Sequence, residues 1–307
     1  MDHYPDLATG YLSGAYAESL AEFGTPRELP RSRGWILQRP ILGSSYYDAM
    51  GCYPLFACQD WSQLHHDLEG LGSELVALSL VTDPFGEYDL PYLKRCFDMV
   101  LPFKEHFVID LHQPVTNSVS KHHRYYTRKS LQKVHVEPCP EPEQLLDEWM
   151  QLYDTLIEKH NLKGIRAFSR AAFARQLSVP GSLVFRAVGE SVTVGMDWYY
   201  MQGELGYGHL AAFSPDGYRL AASYALQWTA IEHLSKQARW LDIGASAGAQ
   251  SDGTDGLSLF KRGWATETRT AFFCGRIFDQ QKYCQIAKTR GVGATVYFPA
   301  YRAEEFD

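Results

Sequence analysis

Several features common in proteins of this size are missing from this chain of 307 residues. It has no run of ~18 uncharged apolar residues, so no stretch is expected to cross a bilayer as a helix. The opening segment MDHYPDLATGYLSGAYAESL is acidic where a secretory signal would carry a cationic region followed by an apolar one, and is not read as such a signal. The six cysteines, Cys52, Cys58, Cys96, Cys139, Cys274 and Cys284, form no CxxC pair and no regular framework. Free thiols in a reducing cytoplasm is the reading that follows, and the expected location is cytoplasmic. The adjacent pairs His65-His66 and His122-His123 lack the ligand spacing of a zinc site, and no metal is expected. No GxSxG motif or Cys-His pairing is legible, which removes a covalent nucleophile from the expected chemistry. The formal net charge of −7 excludes a global field that would draw the chain to nucleic acid or anionic lipid. Any polyanion contact must come from a local basic patch.

What is present is ordinary for a folded protein: 45% hydrophobic and 21% charged residues. Aromatics reach 14%, which suits either a concave binding surface or a densely packed core. The opening ~30 residues read as a surface wrap of small, polar and turn-forming positions. Strand, turn and helix text follows: WSQLHHDLEGLG is helical, ELVALSLVT is a buried strand, and DLPYLKRCFDMVLPF is helical with Leu93, Phe97 and Val100 inward. KEHFVIDL is a further strand, and VSKHHRYYTRKSLQKVHVE is a helix running into a strand. The proline-rich PCPEPEQ is the best linker, so the expected domains are 1-138 and 139-307. Beyond it come two helices, the second capped by Ser169, then three strands joined by short glycine-containing turns. One long helix over PDGYRLAASYALQWTAIEHLSKQ, the strand RWLDIGAS, a short helix carrying Phe260-Lys261 and the strand TRTAFFCGRIF complete the order. An antiparallel meander followed by a crossover into a parallel neighbour leaves a crevice at the strand ends, where ligands tend to bind.

Four stretches in this order, HHRYYTRKSLQKVHVE, GYGHLAAFSPDGYRLAASYALQWTAIEHL, WLDIGASAG…DGLSLFKRGW and VYFPAYR, resemble the FemABX-like aminoacyl and peptidyl transferases of the GNAT superfamily. The resemblance spans Ile109 to Arg302. It implies an α/β (α+β) fold class with two GNAT-like domains in tandem, each a mixed, mainly antiparallel sheet flanked by helices. The implied activity is transfer of an aminoacyl group from aminoacyl-tRNA to an amine by direct attack, forming an amide. Acyl-CoA-dependent N-acyl transfer and a non-catalytic GNAT-like binding module are the alternatives. No cofactor is implied beyond the co-substrate, and the expected partners are a tRNA donor and a small-molecule or peptide amine, without membrane insertion. The chain departs from acetyl-CoA-dependent relatives where SPDGYRLAAS replaces their glycine-rich pyrophosphate loop, leaving Gly217 alone.

Acyl transfer to an amine needs a neutral amine and stabilisation of the tetrahedral oxyanion. By the resemblance, Lys261 offers its ammonium to that oxyanion, while Phe260 packs against the donor and Arg262 stands beside it. The other reading of Lys261 is a solvated lysine at a helix end. Asp242, before a Gly-Ala-Ser-Ala-Gly turn, either orients or deprotonates the incoming ammonium or simply forms the turn. Asp216, Gly217 and Arg219 occupy the donor loop, with Asp216 alternatively a helix cap. Tyr207 and His209 alternate on one strand and so share a face, toward a cleft or toward a packed helix. Lys121, Arg124, Arg128 and Lys129, extended by Lys133, cluster on one side of a helix. They suit tRNA phosphates or form a solvated face, with Tyr125 and Tyr126 available to stack on bases or pack inward.

Overall fold

The computed structural model describes residues 8–114, 119–160, 164–246, 254–292 and 295–303. Its strands are β1 (Thr25–Leu29), β2 (Gly34–Pro40), β3 (Tyr47–Gly51), β4 (Leu75–Val81), β5 (Met99–Asp110), β6 (His135–Cys139), β7 (Ser182–Gly189), β8 (Val192–Gln202), β9 (Leu205–Phe213), β10 (Trp240–Ala245) and β11 (Glu267–Ile277). The α-helices are α1 (Gly14–Ser19), α2 (Leu64–Gly70), α3 (Leu90–Cys96), α4 (Lys121–Leu131), α5 (Leu146–His160), α6 (Arg170–Leu177), α7 (Pro215–Arg219), α8 (Ala222–Leu234), α9 (Gly256–Arg262) and α10 (Gln280–Thr289).

The chain forms two compact units that interleave in sequence. One comprises Met1–Gly10, Lys104–Leu162 and Ser169–Arg269; the other comprises Tyr11–Phe103, Lys163–Phe168 and Thr270–Asp307. This differs from the division expected at residues 138 and 139, and the strand pairing explains why. The last strand returns to β4, Phe273–Ile277 lying antiparallel to Ala77–Val81. Strand β5 pairs with β10, with Val108 opposite Asp242 and Asp110 opposite Trp240. Each unit holds one parallel pair in an otherwise antiparallel sheet, β3 with β4 and β9 with β10. A strand from the other half of the sequence lies beside the second member of each pair. The proline-rich PCPEPEQ sits inside one unit, because Pro138 and Cys139 close β6 against β7 and Pro142 opens a turn before α5.

In the unit containing β7–β10, alternate strand residues feed two layers. Phe185, Tyr199, Leu241 and Ile243 pack with Ala225, Leu226, Ala230 and Ile231 of α8 and with Trp264. On the opposite face Trp198 meets Trp149 of α5 and Phe173 of α6. The expected meander and crossover are present: β7, β8 and β9 are antiparallel neighbours, and α8 carries the chain into β10, parallel to β9. Mixed, mainly antiparallel sheets flanked by helices are therefore found as the sequence implied.

Three local expectations change. The opening residues are not a surface wrap throughout, since α1 buries Tyr16 and Ala17 and Leu20 follows them into the interior. The text around Phe97 is a short helix followed by a strand: α3 ends at Cys96 and β5 begins at Met99. The long helix over PDGYR…HLSKQ breaks at Ala221, which adopts φ 55° and ψ 40°. A left-handed non-glycine residue costs roughly 1–2 kcal/mol, so packing on both sides of the break must hold it there.

In the other unit, the C-terminal VYFPAYR motif ends in a buried clamp. Arg302 donates from Nε and Nη2 to both oxygens of Asp48 on β3, at 2.6 and 2.8 Å, and from Nη2 to the Pro40 carbonyl at 2.9 Å. Asp48 is fully buried, with Arg39 Nε 3.5 Å away as a second cation. Arg302→Ala should lower the unfolding free energy by about 3–5 kcal/mol, because it removes both Arg302 hydrogen bonds from a buried carboxylate and leaves it only Arg39 at 3.5 Å. The midpoint of urea denaturation measures this.

Candidate functional site

The parallel pairing of β9 and β10 runs only to Asp242 opposite Tyr207 among the described residues, while β9 continues to Phe213 and β10 to Ala245. The two strands thus part at Asp242, in the crevice that the element order implied. The separation begins with a turn that only glycine makes easily. Gly244 has φ +77°, and its N–H donates to Asp242 Oδ1 at 2.7 Å. The expected turn is therefore formed as far as Ser246; its later members, Ala247 and Gly248, lie outside the described residues.

Asp242 is more than a turn-former. Its second oxygen, Oδ2, lies 2.7 Å from His106 Nδ1, reached from the neighbouring strand β5, and both side chains are buried. A carboxylate that already accepts the Gly244 amide can only accept again, so Nδ1 carries the hydrogen and Nε2 is left as the basic nitrogen. Nε2 has no hydrogen-bond partner among the described residues.

Lys261 reaches the same turn from α9. Asp255 caps that helix, accepting from the Leu257 and Ser258 N–H groups at 2.9 and 3.0 Å. At its other end Lys261 Nζ donates to the Ala245 carbonyl at 2.7 Å, and a side chain on Gly244 would come within 3.0 Å of Nζ. Lys261 is thus half-buried at the fork and is not a fully solvated lysine at a helix end. Burial pulls its ammonium down to about 8, opposed by the negative charges of Asp242, Asp197 and Asp255 and assisted by Lys104. None of the three carboxylates forms a direct ion pair with it among the described residues. The ammonium therefore keeps donors to spare while remaining mostly charged at neutral pH.

Three groups at the fork were not singled out from the sequence: His106, described above, and Asp197 and Lys104. Asp197 interrupts the apolar strand text VGMDWYY; burial pushes its carboxyl up to about 7, while the Tyr199 hydroxyl, donating at 2.5 Å, and the Lys261 charge pull it down. Lys104 lies two residues before His106 on β5, its Nζ 3.4 Å from the Ser246 carbonyl, and burial lowers its pKa. A lone carboxylate in strand text and a Lys-x-His alternation were the available signals.

Phe260 and Lys261 diverge because adjacent helical residues point ~100° apart. The Phe260 ring enters an aromatic cluster, 5.6 Å from His123, 5.0 Å from Tyr224 and 6.0 Å from Trp264. Its carbonyl accepts from His123 Nε2 at 2.8 Å, while Ser120 Oγ lies 2.8 Å from His123 Nδ1, so one imidazole ties α4 to α9. Arg262 is exposed beside it. The candidate donor loop is accounted for locally: Ser214, not Asp216, caps α7 by accepting from Gly217 N, and Asp216 and Arg219 pair with each other in solvent at 3.0 Å. Gly217 serves close packing, since a side chain there would meet the Val194 carbonyl at 2.0 Å.

On β9, Tyr207 and His209 are buried. His209 lies between the Trp198 and Tyr200 rings, with Nε2 3.3 Å from Gln176 Oε1, and faces a packed helix. The basic helix turns His123, Thr127 and Ser130 inward and leaves Lys121, Tyr125, Arg128, Lys129 and Lys133 exposed. Arg124 is partly buried, and Tyr126 stacks on Tyr224 at 5.3 Å. No acidic residue falls between Val119 and Val134.

The chain has the FemX fold. FemX superposes with a TM-score of 0.64 at 13% identity, covering 89% of this chain and 93% of FemX. The C-terminal domain of an Agrobacterium fabrum protein assigned as a lysylphosphatidylglycerol synthetase gives 0.62 at 14%, covering 87% and 88%. L-PGS from Bacillus licheniformis gives 0.53 at 14%, covering 94% and 99%. No family model matches the chain, and no curated protein matches its sequence.

Burial lowers the His209 imidazole from its ordinary 6.5 to about 3, so it is neutral in the folded state. The unfolded chain takes up that proton first as pH falls. Stability should therefore be full above about pH 6.5 and decline toward pH 3, by up to ~1.4 kcal/mol per pH unit for this one group. Replacing His209 with Gln should flatten the slope of unfolding free energy between pH 6 and 4 by about one proton, as read by denaturant titration at each pH.

Proposed function

We propose that the chain is an acyltransferase that moves an aminoacyl group from aminoacyl-tRNA to an amine, acting in the cytoplasm without a metal. The observation that carries this reading is the Lys261 ammonium, held half-buried at the β9–β10 fork with spare donors. There it meets the oxygen of an acyl carbonyl and stabilises the negative charge that grows on it as the amine attacks. The N–C bond forms, the ester C–O bond breaks, and the leaving ribose oxygen takes a proton. No covalent enzyme intermediate is needed. Asp242 assists from beneath, its negative charge favouring the ammonium form of Lys261.

Three observations favour an aminoacyl-tRNA donor over an acyl-CoA. The fold is shared with FemX. Gly217, the lone glycine of the loop, has its amide taken by Ser214 and its Cα against Val194, leaving little for a pyrophosphate. The exposed stripe Lys121, Arg128, Lys129 and Lys133, with Arg124, offers cations to phosphates along an acceptor stem, and Tyr125 offers a ring for stacking. Phe260 supports α9, and Asp216, Gly217 and Arg219 rim the donor side. Tyr207 shapes the fork opposite Asp242.

Donor competition tests the proposal. Radiolabelled aminoacyl-tRNAs and acyl-CoAs are offered separately with a panel of amines. The expected result is amine-dependent loss of aminoacyl-tRNA with acyl-CoA untouched, and a fall of ~10²–10³ in transfer rate for Lys261→Met. Turnover of CoA esters with tRNA inert would replace the donor. Absence of any transfer would leave the binding-module reading.

A further inference from the structure

Acyl transfer has a second requirement that Lys261 does not meet. At neutral pH an alkyl amine is an ammonium, and it must lose a proton before it can attack. The candidates at the fork are Asp242, Asp197, Lys104 and His106. Asp242 has one oxygen on the Gly244 amide and the other on His106, so each oxygen already accepts a hydrogen bond. Asp197 is held by the Tyr199 hydroxyl in the layer under α8. Lys104 is a cation. His106 alone presents a basic nitrogen with no partner among the described residues.

The arrangement follows a chemical logic found wherever a carboxylate backs an imidazole. Hydrogen bonding at Nδ1 fixes the tautomer and the ring orientation, and the carboxylate stabilises the imidazolium once Nε2 has taken a proton. Here the register supplies the pair. A bulge between Asp242 and Ala245 in the pairing of β10 with β5 brings Ala245 opposite His106. The carbonyl of Ala245 is the one that holds Lys261. One extra residue on β10 therefore puts His106 opposite Ala245, whose carbonyl holds the Lys261 ammonium, so that both residues meet the turn that begins at Asp242.

We propose that His106 is the general base for the amine acceptor and that Asp242 is its positioning residue. This rests on the transferase reading above. The acceptor ammonium gives a proton to His106 Nε2, and the neutral amine attacks the ester carbonyl. As the N–C bond forms and the C–O bond breaks, the attacking nitrogen's second proton passes to the leaving ribose oxygen. The proton held by His106 is then released to solvent. One ammonium and one ester become one amide, one alcohol and one proton. Asp242 of β10 faces His106 directly, Lys104 lies two residues before it on the same strand, and Lys261 of α9 holds the carbonyl of Ala245, the residue paired with His106.

The test combines kinetics with a readout that needs no turnover. In the full chain labelled with ¹⁵N-histidine, His106 should appear as the Nδ1–H tautomer, and Asp242→Asn should convert it toward Nε2–H or a mixture. Transfer from aminoacyl-tRNA should fall by ~10² or more in His106→Gln. In His106→Gly, added imidazole should restore at least tenfold of the lost rate, whereas it should do nothing for Lys261→Met. Asp242→Asn should move the acidic limb of the rate profile, which a merely structural carboxylate would not do. Wild-type transfer that persists within threefold in a folded His106→Gln protein overturns the role of His106 alone, as does an Nε2–H tautomer in the wild type. No transfer by the wild-type chain from any aminoacyl-tRNA overturns the transferase reading and this role together.

Discussion

The Asp242 carboxylate accepts the Gly244 amide with one oxygen and faces His106 with the other, and the fork between β9 and β10 is organised around it. Those two hydrogen bonds end the parallel pairing, turn the chain at Gly244 and aim the Ala245 carbonyl at Lys261. A buried carboxylate is tolerated only where its oxygens are satisfied, and here the partners that satisfy it are also the parts of the site. Charge then does a second task. The same group sits within electrostatic reach of the Lys261 ammonium and offsets part of the burial that would otherwise strip its proton.

The topology explains why such a site can be built from distant segments. His106 is on β5, Asp242 on β10 and Lys261 on α9, all in one compact unit although more than half of the chain separates the first from the last. Strand β5 supplies the antiparallel neighbour of β10, as β11 supplies that of β4 in the other unit. The division of the chain is therefore made by pairing. It does not follow the proline content of PCPEPEQ, whose first residues are simply the end of an edge strand, a position where proline is tolerated.

This pattern also marks what was legible in the sequence. Period and turn chemistry were enough for β7, β8, β9 and β10, for the Ser169 cap of α6, and for the inward face of α5 at Trp149 and Leu152. The resemblance, together with the strand-turn-helix order that Asp242 and Lys261 flank, put both residues at one crevice. Period and turn chemistry could not find His106, whose partner lies 136 positions away, since no local period records a cross-strand hydrogen bond. Nor could they break the helix at Ala221, where tertiary packing overrides good helical text. The resemblance implies a donor contact for Phe260; helical geometry turns its ring into the aromatic cluster of His123, Tyr224 and Trp264.

If the Lys261 ammonium is half-buried and held charged by Asp242, its own titration must report both. With ¹³C-labelled lysine in the full-length protein, one side-chain resonance should titrate near 8, disappear in Lys261→Met, and shift to lower pH in Asp242→Asn as the stabilising charge is removed. A Lys261 resonance at the ordinary value of 10.5, unmoved by the loss of Asp242, would show that neither burial nor Asp242 governs its charge.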